Sequence, residues 1–177
     1  MGDIGNWTGL RKRGERYGHC DTSYIKAAEF LKDGPVEDWG CGGGYAKRFF
    51  SNSTYIGIDG TGDYCDIQAD LRAYTSNVKG ILLRHVLEHN TDWRMVLSNA
   101  LKSCEKLALI IYTPFINETT QTGWCTEYGC PDICFRKEDI TDMLPQYTEE
   151  VVESPNVWGD HHTETIFYVI TGNYWGS

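Results

Sequence analysis

Residues 36–50 read VEDWGCGGGYAKRFF, with glycine at positions 40, 42, 43 and 44 directly behind an acidic pair and a tryptophan. Glycine loses more backbone freedom on ordering than any other residue. A cluster of it marks a place where the chain takes positive φ or where another group comes against the backbone. VEDW reads as a short strand and YAKRFF as a helix. A strand, a glycine turn and a helix open a nucleotide-binding unit, because the turn lets a ligand touch backbone and the helix start presents free N–H groups.

The flanking sequence continues the pattern. YIKAAEFLKDG has helical spacing at Tyr24, Ala27, Ala28 and Leu31, with Asp21, Thr22 and Ser23 as N-cap candidates and Gly34 as a stop. YIGID (55–59) predicts a strand ending in an acid, and YCDIQAD (64–70) a further strand. GILLRHV (80–86) and LALIIYT (107–113) are buried-type apolar runs. Residues 92–104 carry Trp93, Val96, Leu97, Ala100 and Leu101 on one helical face, and 137–144 predicts a short helix. TEEVVES and TETIFYVIT close the chain as two strands with no helix between them, hence an antiparallel pair. Strands alternating with helices imply an α/β domain whose mostly parallel sheet is covered on both faces. Residues 117–135 fit neither period and are long for a plain loop, as lids and binding segments are.

At 177 residues and 41% hydrophobic the chain suits one domain, 1–177, with a single core. A net charge of -9 argues against a broad nucleic-acid-binding face. The one basic cluster is Arg11, Lys12, Arg13 and Arg16, and residues 138–164 are acidic; both read as solvated surface. Seven cysteines cannot all pair, which disfavours a closed disulfide framework. With no signal-peptide pattern and no run of about 18 apolar residues, the expectation is a cytoplasmic protein without a membrane span.

Two ligand classes compete for the glycine turn. The dinucleotide fingerprint G-x-G-x-x-G/A fails here, because its last position falls on Tyr45 counted from Gly40, or on Lys47 counted from Gly42. The pattern is instead acid-x-G-x-G-x-G, from Asp38 through Gly40, Gly42 and Gly44. Asp59 follows at the end of the second strand, placed to accept two ribose hydroxyls. QADL supplies Asp70 and Leu71, and HVLEHNTDW follows the fourth strand. In order and spacing these four segments resemble the class I S-adenosylmethionine-dependent methyltransferases, in particular their small-molecule branch with a similar LEH segment.

That resemblance implies a three-layer Rossmann-like fold with a mostly parallel seven-stranded sheet and an antiparallel last strand. It divides the chain into an N-terminal segment and helix (1–34), a cofactor-binding half (36–113), a substrate-side loop (114–137) and closing strands (138–177). It implies S-adenosylmethionine as cofactor, held by Asp38, Gly40, Cys41, Gly42 and Gly44, by Asp59 and Gly60, by Asp70 and Leu71, and by Arg84 and His85. Asp70 would meet the adenine amino group, although Asp also favours turns.

His85 stands at the carboxyl end of a strand, where open α/β sheets take ligands; it reads either as a catalytic general base or as site lining. His89 reads as packing within the LEH turn, and His161 and His162 as loop residues, one of which could face substrate. Cys125, Cys130 and Cys134 lack C-x2-C spacing and read as free thiols, so no metal site is expected. Trp124, Tyr128 and Phe135 either line a pocket or anchor their segment. Arg13, Tyr17 and His19 lie where related enzymes fold a segment over the cofactor.

The fourth-strand end reads Arg84-His85-Val86-Leu87, which lacks the N/D-P-P-Y/F turn of nucleic-acid amino methylation and the proline-cysteine pair of cytosine C5 enzymes. The Lys-Asp-Lys-Glu set of ribose methylation is absent as well. A small-molecule acceptor is the leading reading. The alternatives are a non-catalytic S-adenosylmethionine or S-adenosylhomocysteine sensor or partner subunit and, further off, a dinucleotide enzyme. Oligomeric state is not legible.

Overall fold

The computed structural model describes residues 20–51, 53–61, 64–125, 129–154 and 162–172. The basic cluster at 11–16, Tyr17, His19, Tyr128 and His161 lie outside the described residues.

Helix α1 (Thr22–Leu31) buries Ser23, Tyr24, Ala27 and Leu31, the spacing of one helical stripe. Asp21 stands at its N-cap position without a side-chain cap bond; its carboxylate instead accepts the Tyr45 hydroxyl at 2.9 Å. Strand β1 (Val36–Trp39) is buried at all four positions. The expected α-helix after the glycines is a short 3-10 helix, Tyr45–Phe49, entered through Gly44 in the left-handed conformation. Its shape is set by docking: Tyr45 and Phe49 lie 5.4 and 5.5 Å from the Tyr24 ring of α1. A helix this short offers no dipole for an anion.

Strand β2 is Tyr55–Asp59, and the run expected at 64–70 shrinks to β3 (Ile67–Gln68). The flanking residues close turns: Gly57 N–H donates to the Asp66 carboxylate at 2.8 Å, and Ala69 N–H donates to the Asp59 carbonyl. Strand β4 (Val78–Arg84) leads through a one-turn 3-10 helix, Leu87–His89, into α2 (Trp93–Ser103) and β5 (Cys104–Thr113).

Residues 117–135 form a hairpin rather than a loop, β6 (Thr120–Cys125) and β7 (Cys130–Cys134), paired antiparallel as a separate two-stranded sheet. Its strand period escapes the sequence because β6 is largely exposed on both faces, with a register shift between Gln121 and Gly123. Helix α3 (Lys137–Thr141), β8 (Gln146–Glu153) and β9 (Thr163–Ile170) complete the chain.

The main sheet runs β3-β2-β1-β4-β5-β9-β8. Pairs among β3, β2, β1, β4 and β5 are parallel, while β9 is antiparallel to both neighbours. Strand direction thus agrees with the expected seven-stranded sheet and antiparallel last strand. One face packs under α1 and the first 3-10 helix through Tyr24, Leu31, Leu82, Ile110 and Ile166. The other packs under α2 and α3 through Leu83, Val96, Leu97, Leu109, Ile140 and Phe167. No described helix is long and apolar enough to cross a membrane.

Candidate functional site

The chain leaves β1 in one direction along the sheet for β2 and β3, then returns to place β4 on the other side of β1. Open α/β sheets take ligands at such a reversal, beyond the carboxyl ends of the strands. The glycine turn lies there. Gly40, Gly42 and Gly44 have φ of 78°, 52° and 74°. At Gly40 a Cβ would stand 2.4 Å from Val86 Cγ2, so the group pressing on this backbone is the protein's own valine behind β4. Cys41 is buried, and burial pushes its thiol up.

The amides of the turn are occupied. Gly40 and Cys41 N–H donate to the Ile58 carbonyl at 2.7 and 3.1 Å, and Gly44 N–H donates to the Cys41 carbonyl at 2.9 Å. Gly42 N–H donates to Asp59 Oδ2 at 2.8 Å. Asp59 Oδ1 accepts the amide and hydroxyl of Thr61 at 3.1 and 3.3 Å. A carboxylate accepts about four bonds, so Asp59 keeps capacity for a ligand hydroxyl. Gly60 closes the same corner, its carbonyl accepting from Gln68 Nε2.

Asp38 and Asp70 are engaged otherwise. Asp38 is buried and accepts the Tyr55 hydroxyl at 2.5 Å. Burial raises its carboxyl to about 7, against that hydrogen bond. Asp70 binds Arg72 through its backbone N–H, Nε and Nη2, which fills the carboxylate. Arg72 holds Asp70 below its usual range and also reaches Asp92 at 3.3 Å. Leu71 is buried in the α2-side core.

On the other side of β1 lies a buried charge cluster. Arg84 donates to the Ser23 hydroxyl at 3.1 Å, to the Tyr24 hydroxyl at 3.0 Å and to Glu164 Oε1 at 2.6 Å. Ser154 donates to the same oxygen at 3.0 Å. His85 has a φ of 52°, rare for a side-chain-bearing residue, which turns the chain out of β4. Its Nε2 lies 3.1 Å from Glu164 Oε1, and its ring meets Tyr112 edge-on. Burial, with Arg84 beside it, pushes His85 down to about 4. Burial works to raise Glu164, but His85 and Arg84 outweigh it and hold the carboxyl at about 2. At neutral pH a neutral imidazole therefore lies beside an ionised carboxylate, and a value that low makes the imidazole a weak base.

Glu88 joins this cluster from the LEH turn. It is 6% exposed, and its Oε1 accepts Tyr112 N–H at 2.7 Å. The sequence reading missed Glu88, Ser23, Tyr24 and Glu164. The signals available were the acid inside the LEH segment and another at the head of the apolar run TETIFYVI.

His89 turns away from its own turn: Nδ1 lies 3.0 Å from the Pro131 carbonyl and 3.4 Å from the Asp132 carboxylate, tying β7 to the sheet. Phe135 is buried against Trp93 at 5.0 Å and anchors the hairpin, whereas Trp124 is 49% exposed. Cys125, Cys130 and Cys134 form no disulfide among the described residues, and no cluster fit for a metal ion occurs among them. The His162 ring lies tilted against the Tyr112 ring, with centroids 5.2 Å apart. A groove of about 370 Å³ between α1, β8 and β9, lined by Lys26, Phe30, Tyr147 and Tyr168, lies toward the opposite edge of the sheet.

No family's sequence profile matches this chain, and no curated protein matches it in sequence. Solved structures do match. The chain is similar to the N-terminal domain of EvdMO1, crystallised in the presence of S-adenosylhomocysteine and D-fucose, with a TM-score of 0.60 and 11% identity over 95% of this chain and 92% of that one. In a structure of a longer EvdMO1 chain it covers 45% of that chain at a TM-score of 0.55 and 10% identity, over 89% of its own length. It is also similar to a candidate RNA methyltransferase from Pyrococcus horikoshii, with a TM-score of 0.50 and 11% identity over 84% of this chain and 80% of that one. At such identities likeness speaks for architecture alone: strand order, glycine turn and neighbours together give this chain a Rossmann-like α/β fold with a mostly parallel seven-stranded sheet, the architecture of these solved structures.

Proposed function

We propose that the chain moves a methyl group from S-adenosylmethionine to a small-molecule acceptor. One observation carries the reading: the turn between β1 and the 3-10 helix passes through three positive-φ glycines and spends the amides of Gly40, Cys41, Gly42 and Gly44 internally. A pyrophosphate needs free amides and a helix start. A nucleoside without phosphate needs only a bare surface to lie on and an acid for its ribose. Asp59, with acceptor capacity left, fits the second ligand.

In this reading Gly42 and Gly44 give the contact surface, Gly40 lets the turn pass against Val86, and Asp59 and Gly60 form the ribose corner. Asp38 and Cys41 support the turn from beneath. Leu71 holds the adenine side in place through the core. Asp70 becomes available to adenine once Arg72 shifts to Asp92, which it already reaches. Arg84 and His85 wall the end of β4; burial makes His85 a lining residue in preference to a base. Bound S-adenosylmethionine supplies an activated methyl on a good leaving group, so positioning and exclusion of water are the chain's main tasks. The net charge of -9 favours a small acceptor over nucleic acid, as does a neighbour crystallised with D-fucose.

Calorimetric titration tests this. S-adenosylmethionine and S-adenosylhomocysteine should bind at micromolar levels, with NAD silent. Asp59→Ala should weaken both by about 1–3 kcal/mol, the cost of unmade charge-assisted bonds. Affinity unmoved by that substitution sinks the ribose assignment.

A further inference from the structure

Glu88 presents an oxygen that the fold does not use. Oε1 is fixed by the Tyr112 amide at the end of β5, while Oε2 is shielded from solvent and has no hydrogen-bond partner among the described residues. Leaving a buried carboxylate oxygen bare is costly, and native structures seldom do so without a use for it. Glu164 also carries a bare buried oxygen, but its other oxygen takes Arg84, Ser154 and His85, which commits it as the counter-ion of Arg84. Among the described residues Glu88 forms no ion pair, and it is anchored by a neutral backbone donor. It stands on the turn that follows β4, beside the carboxyl end of β5, on the side of the crevice away from the ribose corner.

We propose that Glu88 Oε2 receives the proton of the methyl acceptor and that the acceptor nucleophile is a hydroxyl. This rests on the methyl-transfer reading above. A hydroxyl attacks poorly until its proton leaves, whereas a neutral amine attacks with its lone pair and needs no base beforehand. In the step, the acceptor oxygen forms a bond to the methyl carbon. The carbon–sulfur bond of S-adenosylmethionine breaks with its electron pair going to sulfur. The hydroxyl proton passes to Glu88 Oε2 and leaves with water when product departs. The groups around Glu88 permit this proton to come and go. From β5, Tyr112 contributes its amide. Arg84 and His85 approach from β4 and Glu164 from β9, with Arg84 neutralised by Glu164. His162 meets Tyr112, and His89 faces the hairpin. Burial raises the Glu88 carboxyl to about 7, where both protonation states are populated near neutrality.

The test pairs a direct titration with turnover. In protein carrying carbon-13 in its glutamate side-chain carboxyls, one carboxyl should titrate near neutrality and be missing from Glu88→Gln; its absence from the unsubstituted protein overturns the proposal. Formation of S-adenosylhomocysteine is then followed with a hydroxyl panel (sugars including D-fucose, phenols, hydroxy acids) and an amine panel. Turnover with the hydroxyl panel that falls at least 100-fold in Glu88→Gln, with S-adenosylhomocysteine affinity changed less than threefold, supports it, as does a rate that falls with acid below the titration midpoint. Turnover confined to amines, unaltered turnover in Glu88→Gln, or inactivity with both panels in a protein that binds S-adenosylhomocysteine overturns it. Failure to bind S-adenosylhomocysteine at all would instead sink the methyl-transfer reading.

Discussion

The two sides of the crevice are built on different principles. On the β1–β2–β3 side, polar partners are near in sequence and half in water: Asp70 with Arg72, Asp59 with Thr61 and, 17 residues away, with Gly42. On the β4–β5–β9 side they are far apart in sequence and buried: Arg84 reaches Ser23, Tyr24 and Glu164, separations of 61, 60 and 80 residues. Local pairing shapes a rigid turn at small energetic risk. Buried long-range pairing moves protonation equilibria by large amounts, because low dielectric penalises every unshared charge. In the proposed function the first side holds the ligand and the second carries the chemistry.

The comparison breaks first at Glu164. Removing it as Glu164→Ala leaves Arg84 charged and buried, so unfolding free energy should drop by about 3–5 kcal/mol in a denaturant titration. A drop below about 1 kcal/mol would mean that water enters the cluster freely.

Next is Gly40→Ala, where the new Cβ meets Val86 and a φ of 78° strains the residue. Loss of about 2–3 kcal/mol is expected. The double variant with Val86→Ala should recover part of it, and no recovery would place the whole cost in the backbone.

Glu88→Gln sharpens the contrast through pH. The folded carboxyl sits at about 7 against an ordinary 4.5, so the folded protein holds the proton more tightly than the unfolded chain. Its stabilising contribution is therefore full below about 4.5 and is lost as pH rises to about 7. Glu88→Gln lacks this slope, and its stability relative to the parent should improve by about 2 kcal/mol between pH 5 and pH 8. Asp38 slopes the same way and is common to both proteins, so the difference isolates Glu88. A flat difference would mean that Glu88 is ionised throughout.

The smallest effect is on the hairpin. Trp124→Ser removes a half-exposed ring and should change stability by less than about 0.5 kcal/mol, read by thermal melting, whereas the buried Phe135 anchors the same hairpin.

Much of this architecture is legible in the residues alone. The apolar runs at 80–86 and 107–113, the stripe on α2 and the paired closing strands emerge near their observed places, because side-chain period and burial are local properties of a chain. The hairpin at 120–134 and the 3-10 helix after the glycines do not, since exposure on both faces erases the strand period and docking on Tyr24 overrides helix propensity. By itself the sequence determined the α/β class, the glycine turn at its head and the acid behind β2, each a matter of spacing and turn chemistry. Only the tertiary structure decided which charges meet. Arg84 finds Glu164, His85 becomes too buried to hold a proton at neutral pH, and Glu88 is left with one oxygen unspent. The energy of a charge depends on the dielectric and partners that folding places around it, and neither is written in its neighbours along the chain.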